Sequence, residues 1–264
     1  MDALHHLGDW IESLPAQGRY TFRRQEAEAA LRSSFVATQS ALRRQKQKGR
    51  LVSPRRGFYV YVPPEHRAAG APPASWYIDD LMRFTACEYY VGLLSAAALH
   101  GAGHQQPMVF QVLADGLHGT LAAGRSSIEV IRSCSVGRLP VQRVQTETGT
   151  IAVSTPEATA LDLVRLPSAA GSWNNVATVL AELSAAMDAG RLVAAAGCTR
   201  FPDAQRLGYV LEQLGEERLA GPLAGWLAAH RTTIVPLRTD ADAAGAAPHR
   251  RWRVIPNEIL EPDA

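Results

Sequence analysis

Cysteine is scarce in this 264-residue chain, and its three copies, Cys87, Cys134 and Cys198, lie far apart. An odd number with no Cys-x-x-Cys pair excludes a disulfide framework and any zinc or redox site built on such a pair. Each cysteine is expected as a buried, reduced thiol. Long hydrophobic runs are missing too. The longest stretch without Asp, Glu, Lys or Arg, Tyr89 to Ala114, loses its apolar character after Leu99, where His-Gly-Ala-Gly-His-Gln-Gln-Pro follows, so no membrane span is expected. Met1-Asp2-Ala3-Leu4-His5-His6 has neither the basic start and apolar run of a secretory signal nor an Arg-rich presequence, and the expectation is a cytoplasmic protein.

Enzyme signatures are equally thin. Gly116 to Gly124 lacks the Gly-Lys-Ser/Thr ending of a phosphate loop, and no serine sits in a nucleophile elbow. His100 and His104 have the spacing of a helical metal pair, but Gly101 and Gly103 intervene, so a helix end and turn is expected instead. Asp115 and Glu129 sit near strand-like runs at a separation that suggests a metal-dependent nuclease. Ile131, however, occupies the place where the acid-x-Lys pattern needs its lysine. No catalytic residue, metal or cofactor is expected, and a DNA-directed nuclease is the alternative reading.

The charge is informative once it is divided along the chain. The total, 27 basic against 25 acidic residues, is +2, but residues 1–67 hold 12 basic and 6 acidic ones, and Arg19 to Arg56 holds 11 against only Glu26 and Glu28. A local excess of that sign suits a polyanion such as DNA.

The same segment has the pattern of a DNA-binding motif. Leu4, Leu7, Trp10, Ile11 and Leu14 repeat at helical spacing until Pro15 and Gly18. Tyr20-Thr21-Phe22 is a short extended entry, Arg23 to Leu31 is helix-forming with Thr21 as its cap, and Ser33 and Ser34 can cap a third helix from Phe35 to Lys48 that stops at Gly49. Two β-type runs, Arg50 to Ser53 and Gly57 to Val62, flank Pro54-Arg55-Arg56 and form a hairpin with a basic tip. This is the order of a winged helix-turn-helix. With Phe35 and Leu42 placed inward, Ala37, Ser40, Arg44, Gln47 and Lys48 lie opposite, and Thr38 and Arg43 lie on the flanks. The candidate DNA contacts are therefore Ser34, Thr38, Ser40, Arg43, Arg44 and Gln47, together with Lys48, Arg50, Arg55 and Arg56. Ser40 and Arg44 suit base edges, whereas Lys46, Lys48, Arg50, Arg55 and Arg56 suit phosphates.

Pro63 to Pro73 reads as a linker, which divides the chain into a winged helix (1–67), a linker (68–76) and a C-terminal domain (77–264). Ile78 to Leu99 is helical in composition. Strands are expected at Met108 to Leu113, Ser127 to Arg132, Val141 to Thr146 and Thr150 to Val153, closed by the helix start Thr155-Pro156-Glu157. Helices follow at Trp173 to Met187, Asp203 to Glu217 and Leu219 to His230, then strand-like Thr232 to Leu237 and Arg251 to Ile255. Trp173, Trp226 and Trp252 read as core or interface residues. The expected fold class is α+β: an N-terminal winged helix-turn-helix before a larger mixed domain.

Three blocks carry a resemblance to AbiEi-family antitoxins: Lys48 to Val60, Tyr89 to Gly101, and Val153 to Leu163. The resemblance implies the regulatory half of a type IV toxin–antitoxin and phage-defence module. In such a protein a winged helix represses its own operon at repeated operator sequences, and a C-terminal domain counteracts a nucleotidyltransferase toxin. Whether the toxin is touched directly stays open. Gly190 to Arg200 and Thr239 to His249 match nothing in that pattern.

Overall fold

The structure, a computed structural model, describes residues 6–103, 108–243 and 245–261. Its elements run α1 (Leu7–Ser13), β1 (Thr21–Arg23), α2 (Arg24–Leu31), α3 (Phe35–Gln47), β2 (Leu51–Arg55), β3 (Phe58–Tyr61), α4 (Ile78–Thr85), β4 (Tyr89–Val91) and α5 (Leu93–Leu99). They continue with β5 (Val109–Ala114), β6 (Gly119–Ala123), β7 (Ser126–Arg132), β8 (Val141–Thr146), β9 (Gly149–Ser154), α6 (Pro156–Arg165) and α7 (Trp173–Ser184). Last come α8 (Ala189–Ala196), α9 (Phe201–Gln213), α10 (Glu217–Ala228), β10 (Val235–Pro236) and β11 (Val254–Ile255). The protein is mixed α+β, as the sequence implies. Two compact units form: one from Met1–Tyr89, Met108–Arg132 and Arg143–Ala152, the other from Tyr90–Pro107, Ser133–Gln142 and Val153–Ala264. None of the boundaries between these units falls at residues 68–76.

The first unit begins with the order α1, β1, α2, α3, β2, β3 of a winged helix-turn-helix. Its core gathers Leu7, Ile11, Leu14, Phe22, Ala27, Leu42, Leu51, Tyr59 and Tyr61, with Trp10, Tyr20, Leu31 and Ala41 packed around them. Fully burying one such aliphatic or aromatic side chain contributes about 1.5–3 kcal/mol. Leu4, expected on the first helix, lies outside the described residues. Thr21 is not the cap of α2. It belongs to β1 and its hydroxyl donates to Asp80 Oδ2 at 2.5 Å. The start of α2 is instead fixed by Glu26, whose carboxylate accepts from the Arg23 N–H at 2.8 Å.

The wing sheet is ordered β1-β3-β2, with Phe22 opposite Tyr59 and Leu51 opposite Tyr61. Pro54 does not end the strand as expected. It sits on the edge strand β2, where the register shifts between Val52 and Arg55 and no ladder hydrogen bond is demanded of it. The turn is Arg56-Gly57, and Gly57 holds φ +87°, a conformation that disfavours any side chain.

Farther along this unit, β7 pairs antiparallel with β6 and in parallel with β5, which places Gln111 beside Glu129 and Ala114 beside Arg132. Strand β6 arises from the Gly116 to Gly124 run, where no strand was expected. Between β6 and β7, Gly124 at φ +61° lies so close to Ala69–Ala71 that a Cβ there would meet the Ala69 carbonyl oxygen at 2.5 Å. The Arg125 N–H donates to that carbonyl at 2.8 Å. The Pro63 to Pro73 segment, expected as a linker, is thus pinned at its centre to the β6–β7 turn. A one-turn 3-10 helix stands at each end of it, Pro64–His66 and Ala74–Trp76.

In the second unit Val91 of β4 pairs in parallel with Val153 of β9. The expected helix from Ile78 to Leu99 is broken: Ala86 at φ +54° ends α4, the β-type run Tyr89-Tyr90-Val91 is extended, and Gly92 precedes α5. Thr155 caps α6 as expected, accepting from the Ala158 N–H at 3.3 Å with Pro156 in the first turn. Glu157, expected merely at the positive helix end, is buried, and its Oε1 accepts from Asp188 N–H at 2.9 Å and Arg191 Nε at 3.0 Å. Helix α8 follows Asp188, its cap, in the stretch for which the sequence suggested no element. Trp173 and Trp252 are buried core, while Trp226 is half-buried against Phe201 and His230. The cysteine expectation is corrected: Cys134 is exposed, and Cys87 and Cys198 are half-buried.

Candidate nucleic-acid interface

Helix α3 starts at Ser34, whose Oγ accepts from the Ala37 N–H at 3.3 Å, and ends where Gly49 turns at φ +67°. Its inward side is set by Thr38 and Leu42, both fully buried, and the Thr38 hydroxyl shares a 2.7 Å hydrogen bond with Ser33. Two expectations are corrected by this packing. Thr38 is a core residue with its hydrogen bond satisfied inside the unit, so it does not face outward. Phe35 is not inward: it stays 52% exposed, with the Arg24 guanidinium 4.4 Å above its ring.

With Thr38 and Leu42 buried and Ala41 and Gln45 half-buried, the inward side turns the exposed face by about 60°, at about 100° per residue. The outermost line then runs through Val36, Ser40, Arg43 and Gln47, with Arg44 and Ala37 on one flank and Gln39 and Lys46 on the other. All eight are exposed. Arg43 moves from flank to centre, and Arg44 from centre to flank. Beside this line Gln39, Leu42, Arg43, Lys46, Gln47 and Tyr59 border a groove of about 460 Å³ between α3 and the wing sheet. Val36 and Gln39 escaped the sequence reading because their position depends on which of Phe35 and Thr38 is buried.

The electrostatics divide the cations of this region into two sets. Arg19 pairs with Glu26, Arg24 with Glu28 at 2.7 Å, and Arg50 with Glu12 at 3.1 Å. By contrast, Arg43, Arg44, Lys46, Lys48, Arg55 and Arg56 are exposed, and among the described residues none of their side chains makes a hydrogen bond or ion pair. Helix α3 contributes three of these charges, its C-terminal cap Lys48 a fourth, and the wing hairpin two, Arg55 at the end of β2 and Arg56 in the turn. Charges left unneutralised on one convex helix and its neighbouring hairpin produce a field that attracts a phosphate backbone. Arg50 is half-buried, so its reach to a ligand is limited by its bond to Glu12.

The other candidate chemistry does not converge. Asp115 accepts from the Glu88 N–H at 3.1 Å, and Glu129 accepts from Gln111 at 3.3 Å. Since Ala114 pairs with Arg132, Asp115 stands about four strand positions, roughly 13 Å, from the row of Glu129. His100 Nε2 lies 2.7 Å from the Ser154 carbonyl oxygen at the end of α5, and His104 lies outside the described residues.

Residues 90–213 match the family model described as the AbiEi antitoxin C-terminal domain. A similar solved structure is the crystal structure of the RV2827C protein from Mycobacterium tuberculosis, with a TM-score of 0.65 and 16% identity over 96% of this chain and 92% of that chain. At that identity the likeness is one of fold. No curated protein matches the chain.

Proposed function

Because residues 90–213 match the family model of the AbiEi antitoxin C-terminal domain, we propose that the chain is a DNA-binding antitoxin of a toxin–antitoxin, phage-defence module. Its winged helix represses its own operon by binding double-stranded operator DNA, probed at repeated sequences, and its C-terminal part counteracts a nucleotidyltransferase toxin in the cytoplasm. It works by binding rather than catalysis. The functional division is a winged helix at 1–67, a connection at 68–76 and the antitoxin part at 77–264.

The observation that supports DNA binding best is the set of six unpaired cations on α3, its cap Lys48 and the wing hairpin. In this reading Ser40, Arg43 and Gln47 face base edges in the major groove, because they lie on the outermost line of α3. Arg44, Lys46, Lys48, Arg55 and Arg56 hold phosphates together with Ser34 at the helix start, and Arg50 joins them only by giving up its bond to Glu12.

The test is retardation of a labelled duplex taken from the DNA upstream of the gene, using the full chain, alongside repression of a reporter under that DNA. Binding and repression are expected; absence of both overturns the reading, and cleavage of the probe with Mg²⁺ would replace it with a nuclease. Co-expression with a nucleotidyltransferase encoded beside the gene tests the second half. A chain carrying Arg43→Ala, Arg55→Ala and Arg56→Ala is expected to lose repression yet still protect growth. Loss of protection together with repression would make repression the whole antitoxin activity.

A further inference from the structure

On the outermost line of α3 one residue is chemically out of place. Val36 is 71% exposed in the first turn of a helix whose outward neighbours are Ser40, Arg43 and Gln47. A lone exposed apolar side chain is ordinary on a protein surface. Here it occupies the leading end of a strongly basic face, and Phe35 beside it is occupied by the Arg24 guanidinium, whereas Val36 has no aromatic or charged partner among the described residues.

We infer that Val36 is a specificity residue that packs its methyl groups against the C5-methyl of a thymine in the major groove, an inference that rests on the DNA-binding reading above. The major groove offers one apolar feature, the thymine methyl, and small aliphatic side chains are the ones that contact it. Charge complementarity determines the occupant. A lipid or protein partner for a lone valine would have to tolerate Arg43 seven residues along the same line and Arg44 beside it, which a phosphate-flanked groove welcomes. Ala37, the next exposed residue, is too short to compete for the same methyl without bringing the backbone closer. The helix rise of about 1.5 Å per residue separates Val36 from Arg43 by roughly 10 Å, which is about three base-pair steps. The preferred site therefore holds a thymine about three base pairs from a guanine read by Arg43.

The experiment uses the full chain and two duplexes copied from the DNA upstream of the gene, one made with thymidine and the other with deoxyuridine throughout. Loss of the methyl contact is expected to weaken wild-type binding roughly 3- to 10-fold. Val36→Ala, a change on an exposed helix surface, should weaken binding to the thymidine duplex by a similar factor and should no longer distinguish the two duplexes. Wild-type binding that is equal on both duplexes overturns the inference and leaves the DNA-binding reading intact. So does a Val36→Ala protein that still discriminates as the wild type does. Failure to bind either duplex at low salt overturns both.

Discussion

Trp252 lies flat against Gly208 of α9, with its Cζ3 only 2.0 Å from where a Cβ at that glycine would stand. The indole is held from its edge as well, because its Nε1 donates to Glu212 Oε2 at 2.8 Å, and the backbone carbonyl of Trp252 accepts from Gln205 Nε2 at 2.8 Å. On an exposed helix a Gly→Ala change stabilises by about 1 kcal/mol. Gly208→Ala should instead destabilise by roughly 2–3 kcal/mol, because the ring and the helix cannot both keep their places. Urea denaturation of the full chain followed by tryptophan fluorescence measures it; a stabilised variant would show that the ring can move aside.

The unpaired cations predict a steep salt dependence. Each neutralised phosphate contributes about −0.9 to the slope of log K against log salt, so a slope of roughly −4 to −7 is expected for the operator duplex. Arg43→Ala should cost about 1–3 kcal/mol on the preferred site and relax preference at one base pair. The pair Arg55→Ala with Arg56→Ala should weaken all sequences alike and flatten the slope by about 1–2 units. Anisotropy titrations on preferred and scrambled duplexes separate the two outcomes. A change of base preference in the wing pair alone would invert the assignment.

Acid should act on the second unit through Asp162. Burial pushes its carboxyl from 3.8 up to about 6, opposed by Arg165 and by the Tyr90 hydroxyl that donates to it at 2.8 Å. The folded state then holds a proton between pH 4 and 6 that the unfolded chain has released, so this group's contribution to stability falls as pH rises through that window. Above about pH 6 both states are ionised and the dependence ends. The difference in urea midpoint between wild type and Asp162→Asn, measured across pH 4.5 to 7, should decline and then level. A difference that grows with pH would mean that the carboxylate is held ionised.

Docking of the proline-rich stretch predicts resistance to cleavage. With Gly124→Ala the Ala69 carbonyl is displaced and the segment from Pro63 to Pro73 loses its seat on the β6–β7 turn. Limited proteolysis of the variant should cut there much faster than in the wild type. Equal rates would show that the 3-10 turns alone protect it.

Local chemistry made some of this structure readable in advance. The Thr155-Pro156 start of α6, the Ser34 cap and Gly49 stop of α3, and the basic hairpin tip all follow from residues within a few positions of one another. What was hidden depends on distant partners. Phe35 is held at the surface by Arg24, and Glu157 is drawn inside by Asp188 and Arg191. Strand β6 is mostly exposed and has Leu121, Ala122 and Ala123 in a row, so alternation could not reveal it; it is supported by its ladder to β7. Helix α8 carried a readable signal, the Asp188 cap accepting from the Arg191 N–H at 2.9 Å, that Ala- and Gly-rich surroundings obscured.

Glu157 and Asp188 are 31 positions apart and joined by one hydrogen bond, with all of α7 between them. That bond makes α7 a ruler. One residue inserted within Trp173–Ser184 would swing everything beyond it by about 100° and carry the Asp188 amide off the buried carboxylate, leaving a charge without its donors. Chains that keep this arrangement are free to redraft the composition of the stretch but not its count, so length variation here should be suppressed while letters drift.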